Sequence, residues 1–155
     1  MPNLELSITG ELPEGTEASK VESVLTRIIG DCGDPDTLYR ISLALVDTNE
    51  MVAINRNHRG VNSTTDVLSF LGDRLPIKAG TTIDYLRLCD IVIDTNQVFR
   101  QKGANSYTEE FWRVLIHGAL HIAGFDHIQT PDKKNMEDAE ENYRNLCLEG
   151  LICGQ

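Results

Sequence analysis

The sequence predicts a single α+β domain over residues 1–155, with a small mixed β-sheet of about four strands packed against about five helices. Two observations lead to this fold class. Segments with the periodicity of strands are interspersed with segments that have the periodicity of helices. The length of 155 residues, with 41% hydrophobic and 25% charged residues, is that of one ordinary globular domain.

Four segments have the apolar pattern of β-strands. In the first, Leu4, Leu6 and Ile8 alternate with polar residues and so share one face. The last is almost continuously apolar, which is typical of a central strand. The predicted strands cover residues 4–8, 38–46, 66–70 and 86–94, with a loop or hairpin over 72–84.

Local capping patterns indicate where the helices begin. In three places a serine or an aspartate is followed three residues later by glutamate, and each pair can form a capping box. Thr130 followed by Pro131 indicates a further helix start, and Gly30 or Gly33 can end the first helix. The three pairs are Ser19 with Glu22, Asp47 with Glu50, and Ser106 with Glu109. The predicted helices follow Ser19 and Asp47, span 95–101 and 107–123, and run from 130 to about 150.

The charge balance limits the classes of partner. Twenty-four acidic against fourteen basic residues give a net charge of −10, which argues against binding nucleic acid or anionic membrane through overall charge. The overall charge does not exclude a local basic cleft. The longest uncharged run, Val114–Phe125, is shorter than the roughly 20 apolar residues of a membrane span. The N-terminus lacks the features of a signal peptide, and the four cysteines are scattered like free thiols. We therefore expect a cytoplasmic protein with no membrane partner.

Three of the four histidines, His117, His121 and His127, lie within eleven residues of one another. Residues four apart share a helical face, so the first two can direct their imidazoles at one point beside the helix. Gly124 can end the helix and turn the chain so that the third returns to the same point. Three neutral imidazoles leave the fourth tetrahedral position of a zinc ion open, which is typical of a catalytic metal site.

Two other interpretations of these histidines deserve comparison. A lone H-x-x-x-H pair is a weak sign, because unrelated histidines can pack in a core or cap a helix. The spacing also matches the metzincin peptidase pattern H-E-x-x-H-x-x-G-x-x-H. Gly118 stands where such a peptidase has its general-base glutamate, and a residue without a side chain cannot accept a proton. A peptidase would therefore lack its main catalytic group.

The segments T-D-V-L-S-F at 65–70, D-I-V-I at 90–93 and H-G-x-L-H-x-x-G-x-D-H at 117–127 occur together in this chain. The combination resembles the YbeY family of metal-dependent endoribonucleases, which are rRNA maturation factors. The resemblance runs from about Val46 to Gly150. Its remaining pieces are Asn55, Arg59, Gly60, Met136 and Glu140. The chain departs from the family at Cys89, where a glycine is usual, and at Leu71, where a proline often follows S-F.

The resemblance implies a YbeY-like metal-dependent hydrolase domain over residues 1–155, with its metal site at the end of a long helix. It implies that His117, His121 and His127 bind one catalytic Zn²⁺ and that Arg59 is a functional arginine of the cleft. The implied activity is zinc-dependent cleavage of single-stranded RNA in rRNA maturation, notably at the 3′ end of small-subunit rRNA, and in ribosome quality control. The implied partners are rRNA precursors and the ribosome or its proteins.

The roles of three polar residues stay open at this point. Asp126 either orients a ligating histidine or caps the turn after Gly124. Asp66 is either a catalytic acid or a turn residue at the strand edge, and Ser69 either contacts a phosphate or bonds to backbone. Without the resemblance, the basic group of Arg56, His58 and Arg59 fits a solvated turn after a helix.

Two further functions compete with the endoribonuclease. A non-catalytic ribosome-assembly factor would use its zinc structurally, and it would unfold on metal loss or show a closed fourth coordination position. A metallopeptidase-like hydrolase would cleave peptides.

Overall fold

The computed structural model describes residues 3–60, 65–78, 82–124 and 130–148, with side chains described for all of these except 130–134 and 148. Five strands and five helices occur in this part of the chain. In chain order they are β1 (Leu4–Thr9), α1 (Ala18–Cys32), β2 (Thr37–Val46), α2 (Thr48–Arg59), β3 (Val67–Leu71), β4 (Leu75–Pro76), β5 (Tyr85–Asp94), α3 (Thr95–Gln101), α4 (Tyr107–Ile122) and α5 (Thr130–Leu148). The predicted α+β class is confirmed, and the strand beyond the predicted number is the two-residue β4. No helix of the described residues has the length and apolar character that crossing a membrane requires.

The sheet has the strand order β1-β2-β5-β3, with β4 beside β5. The strands β1, β2 and β5 are parallel, while β3 and β4 pair with β5 in the antiparallel direction. The sheet is therefore mixed, as the sequence predicts. Within the described sheet β3 is an edge strand, and it begins one residue later than the predicted strand at 66–70.

Two hydrophobic cores lie on opposite faces of the sheet, because strand side chains alternate between the faces. The larger core joins the sheet to α1, α4 and α5, and β2 contributes to it the alternating set Tyr39, Ile41, Leu43 and Leu45. The smaller core lies under α2 and consists of Val46, Met51, Leu68 and Val92. Val67 packs against the larger core and Leu68 belongs to the smaller one, so β3 contacts both.

Two of the predicted capping pairs cap the N-termini of α2 and α4. The Asp47 carboxylate accepts a hydrogen bond from the Glu50 backbone N–H at 2.8 Å, at the start of α2. The Ser106 hydroxyl accepts one from the Glu109 backbone N–H at 3.1 Å, at the start of α4. Both bonds satisfy N–H groups that have no partner within the helix.

The prediction for the start of α1 was wrong. The helix begins at Ala18, and Glu17 precedes it with extended backbone and no side-chain capping bond. The carbonyl of Glu17 accepts the first helical hydrogen bonds, so Ser19 lies inside the first turn and cannot cap it. At the other end, Gly33 rather than Gly30 follows the last helical residue.

The helix α3 follows β5 directly, and Asp94 makes the transition. Its fully buried carboxylate accepts hydrogen bonds from the backbone N–H groups of Asn96 and Gln97 at 3.0 and 3.1 Å. Because of this cap, α3 begins at the residue after the end of β5, with no loop between them. Gln101, the last residue of α3, thereby reaches the start of α4, where its amide enters the network described below.

Candidate active site

A cleft of about 350 Å³ lies beside the edge strand β3, between the end of α2 and the second half of α4. We call it the histidine cleft. Its lining consists of Arg59, Thr65, Asp66, Val67, Leu68, Ser69, Phe70, His117 and His121. The fold thus brings together the T-D-V-L-S-F segment, the arginine and two of the histidines that the sequence analysis selected.

The two histidines of α4 lie next to each other on one helical face. The ring centroids of His117 and His121 are 4.8 Å apart, with the rings nearly perpendicular. Both side chains are partly buried and line the cleft. His127 and Asp126 lie outside the described residues, so the third predicted ligand stays a prediction. The described residues alone contain no cluster of three or more His, Cys, Asp and Glu side chains that could hold a metal.

Gly118 allows α4 to approach the sheet closely. A Cβ atom at this position would lie 3.1 Å from Ile91 Cγ2, 3.2 Å from Val67 Cγ2 and 3.2 Å from Ser69 Oγ, which is tighter than ordinary packing. The Ser69 hydroxyl donates a hydrogen bond to the Gly118 carbonyl at 3.1 Å. Ser69 therefore bonds to backbone while lining the cleft, and it fixes β3 against the turn of α4 that carries the histidines.

A carboxylate on α5 holds one of the histidine rings. The Nδ1 atom of His117 contacts Glu140 Oε1, and the Glu140 side chain is only 17% exposed. A carboxylate bound to one ring nitrogen fixes the tautomer and directs the other nitrogen toward a metal. Paired imidazoles four residues apart with such a partner are a donor set that suits zinc. The two described imidazoles are therefore suitable ligands for the implied ion.

The basic residues at the end of α2 have separate environments. Arg59 lines the histidine cleft, whereas the His58 ring packs against Phe70 with a centroid distance of 4.9 Å. Arg56 is exposed and is not part of the cleft lining. All three lie in the last helical turn, where cations interact favourably with the helix dipole. Of the three, Arg59 alone faces the site.

A partly buried polar network meets the histidine cleft at Asp66. The Gln101 amide donates hydrogen bonds to Asp66 at 2.9 Å and to Glu110 at 2.8 Å. Arg113 binds Glu110 through two nitrogens and lies 3.8 Å from Asp66. Sequence reasoning missed Gln101, Glu110 and Arg113. The available signal was that Arg113 precedes His117 by four residues and so shares its helical face.

The ion pair of Glu110 and Arg113 changes the acidity of the buried carboxyl group. Glu110 is 3% exposed, and burial by itself raises its pKa. Hydrogen bonds from Arg113 and Gln101, together with the charges of Arg113 and Arg144, outweigh burial and hold the pKa below its ordinary value. Because the folded-state pKa is lowered, this stabilisation is present above the ordinary glutamate pKa and is lost as the pH falls through the folded-state pKa.

We expect Arg113→Met to lower the free energy of unfolding by about 3 kcal/mol at neutral pH, because it leaves the Glu110 carboxylate buried without its cation. Burial then raises the Glu110 pKa in the variant. Protonation removes the penalty, so the deficit relative to wild type should shrink as the pH falls through that raised pKa, and further as it falls through the lowered pKa of wild type. Urea unfolding at several pH values measures this deficit.

Arg27→Met is the matched control, because the Arg27–Asp31 pair lies on the surface with both side chains about half exposed. It should cost less than about 0.5 kcal/mol at every pH. A deficit for Arg113→Met that stays constant with pH would contradict the role given to Glu110.

The departures from the family pattern lie apart from the cleft lining. Cys89 is buried in the larger core, and burial raises the pKa of its thiol. Leu71 ends β3 and is 40% exposed. The described cysteines, Cys32, Cys89 and Cys147, form no disulfide bond with one another.

A family model described as "Endoribonuclease YbeY" matches residues 9–147 of the chain. A curated protein of that name from Fusobacterium nucleatum is 39% identical over 111 residues, which are 70% of this chain and 67% of the relative. One from Clostridioides difficile is 30% identical over 145 residues, which are 91% of this chain and 89% of the relative. The alignment with the Tropheryma whipplei relative is 34% identical and spans 64% of that relative's length.

Among solved structures, the solution structure of TM1509 from Thermotoga maritima superposes with a TM-score of 0.54. Its sequence is 25% identical, and the match covers 91% of this chain and 87% of that one. The two proteins therefore share their overall fold.

Proposed function

Because the chain belongs to the endoribonuclease YbeY family, we propose that it is a zinc-dependent endoribonuclease that cleaves single-stranded RNA. The observation that carries the proposal is the placement of His117 and His121 in one cleft with Arg59, beside the strand β3 at the edge of the described sheet. Such a cleft offers imidazoles for a metal and a guanidinium for a phosphate within one space.

His117, His121 and His127 would hold the zinc ion, and Glu140 would fix the ring of His117. A zinc ion with an open coordination position polarises a phosphoryl oxygen and lowers the pKa of a bound water. Arg59 binds the phosphate at the scissile bond and offsets the negative charge that develops on it. Ser69 keeps β3 against α4, so the strand and the two histidines hold a fixed spacing.

Asp66 has a positioning rather than a catalytic role in this proposal. Gln101 donates a hydrogen bond to its carboxylate, and Arg113 lies close to it. A carboxylate that is held in this way keeps the start of β3 in place at the wall of the cleft. The positive charge of the nearby Arg113 also offsets the negative charge of Asp66 that an approaching phosphate would meet.

Membership of the family supports RNA as the substrate class. We include in the proposal maturation of rRNA precursors at the 3′ end of small-subunit RNA, ribosome quality control and a cytoplasmic location. A chain with net charge −10 cannot attract RNA through its whole surface, so local cations and ribosomal contacts must provide the affinity.

The decisive experiment measures cleavage of a labelled single-stranded RNA by the zinc-loaded chain. We expect a chelator to abolish cleavage, added zinc to restore it, and Arg59→Glu to reduce it by about a hundredfold. Arg56→Glu makes the same charge change in the same helical turn but outside the cleft lining, so it should reduce cleavage by less than about threefold. Cleavage that is indifferent to both the chelator and Arg59→Glu would refute the proposal.

A further inference from the structure

A second cavity, of about 390 Å³, lies where α1 and α4 begin and α5 approaches its end. Its wall carries three cations from three helices, Lys20 from α1, Arg113 from α4 and Arg144 from α5, and we call it the basic cavity. Given the proposed function, on which this assignment rests, we propose that the basic cavity binds a phosphate group of the RNA strand whose scissile bond lies in the histidine cleft.

Two of the three cations, Lys20 and Arg144, form no salt bridge in the described part of the chain, although the charge of Arg144 acts on Glu110. The carboxylate of Glu110, which also lines the basic cavity, is occupied by Arg113 and Gln101. Glu109 is exposed and accepts a hydrogen bond from the Ser106 hydroxyl. The lining thus has three cations against two carboxylates, and Lys20 and Arg144 can each still bind an anion directly.

The guanidinium group of Arg144 has a buried N–H donor without a hydrogen-bond acceptor among the described residues. Its Nε atom is closed off from solvent and meets no hydrogen-bond acceptor within the described residues. A buried donor without an acceptor is unfavourable, so native structures seldom retain one without a reason. A phosphate supplies several acceptor oxygens, and guanidinium groups bind phosphates through paired N–H donors.

Lys20 occupies a place that its own helix disfavours. It lies in the first turn of α1, where the helix dipole repels a cation, and that turn contains no acidic residue. Its ammonium group stands over the ring of Trp112 at 5.9 Å from the centroid. An anion in the cavity would offset the repulsion between Lys20 and the positive end of α1.

The basic cavity is adjacent to the histidine cleft. Arg113 precedes His117 by one turn of α4, which is about 6 Å along the helix axis. Its Nη2 atom lies 3.8 Å from Asp66, which lines the histidine cleft. The two spaces therefore meet at the pair Arg113–Asp66. A single strand longer than about 4 nucleotides can therefore lie across both, whereas a shorter one is accommodated by the histidine cleft.

The test compares Lys20→Gln with Lys102→Gln in the zinc-loaded chain. Each substitution removes one charge and one contact with an aromatic ring, because Lys102 lies 5.2 Å from the ring centroid of Phe99. Lys20 alone lines the basic cavity. The probes are fluorescein-labelled 2′-O-methyl RNAs of about 4 and about 12 nucleotides, a modification that slows cleavage, and both lengths fall within common single-strand site sizes. Dissociation constants are measured over a range of salt concentrations.

For the longer RNA, we expect Lys20→Gln to weaken binding by about two- to fivefold and to lower the salt slope by about 0.7, the value for one phosphate contact. Binding of the shorter RNA, which the histidine cleft accommodates, should not change. Lys102→Gln should bind both RNAs like wild type. Equal losses for the two lysine variants, or no loss for Lys20→Gln, would overturn the assignment.

Inorganic phosphate distinguishes an RNA phosphate from a free anion. If it raises the Tm of wild type but not of Lys20→Gln, while both bind the long RNA equally, the cavity takes free phosphate and the RNA assignment is wrong. A wild type that neither binds nor cleaves RNA contradicts the proposed function itself. A wild type that cleaves RNA, beside a Lys20→Gln variant with unchanged binding, contradicts the basic cavity alone.

Discussion

Replacing His121 with alanine should remove the bound metal and reduce RNA cleavage by more than about a hundredfold. Loss of a residue that merely supports a ligand already costs 10–100-fold in metal affinity or activity, and loss of a ligand costs more. The fold should survive, because His121 is only partly buried and alanine is the best helix former. Metal content, thermal unfolding and cleavage of a single-stranded RNA, each measured against wild type, test this expectation.

His58→Ala is the matched control, because His58 is the remaining histidine of the described residues and also makes one ring contact. It should keep its metal and most of its activity. If His121→Ala unfolds the chain, the zinc is structural, and this result supports the alternative of a non-catalytic ribosome-assembly factor. If His121→Ala keeps both metal and cleavage, the pair on α4 is not the metal site.

Replacing Gly118 with glutamate should lower the free energy of unfolding by about 4 kcal/mol or more. The added Cβ would already press on Ile91, Val67 and Ser69, and overpacking of this kind costs about 1–3 kcal/mol. The charged end would then lie in a buried position, which adds a further penalty. Gly118→Ala should cost about 1 kcal/mol, since the gain in helix propensity offsets part of the crowding.

Gly30 provides a matched control inside another helix. A Cβ atom there meets nothing within 4 Å, so Gly30→Ala should raise the free energy of unfolding by about 0.5–1 kcal/mol. Urea denaturation of the three variants checks the order. A Gly118→Ala variant as stable as Gly30→Ala would contradict the close approach of α4 to β3. The glycine in the peptidase-like motif is thus explained by packing.

Local patterns predicted the parts of the fold that depend on neighbours in sequence. The capping pairs at Asp47 and Ser106 formed because each needs only its own helical turn. The spacing of His117 and His121 predicted their shared face for the same reason. Ser19 failed because the chain enters α1 two residues earlier, at Glu17, a choice that local residue preferences did not reveal.

Contacts between segments far apart in the chain could not be predicted from the sequence patterns. The network of Asp66, Gln101, Glu110 and Arg113 joins the start of β3 to α3 and α4, so no single periodic pattern contains it. The contact of Glu140 with His117 likewise depends on how α5 packs against α4. The two residues of β4 are too few to show alternation, and their pairing with β5 follows from the tertiary fold.

The short strand β3 has a consequence for how the chain can vary in length. Its odd-numbered residues Val67 and Ser69 meet α4, and its even-numbered residues Leu68 and Phe70 meet the core under α2. A shift of pairing by one position would exchange these two sets and carry the serine away from the helix that bears the histidines. Insertions and deletions in the connection before this strand are therefore tolerated only where the alignment of β3 with β5 is preserved.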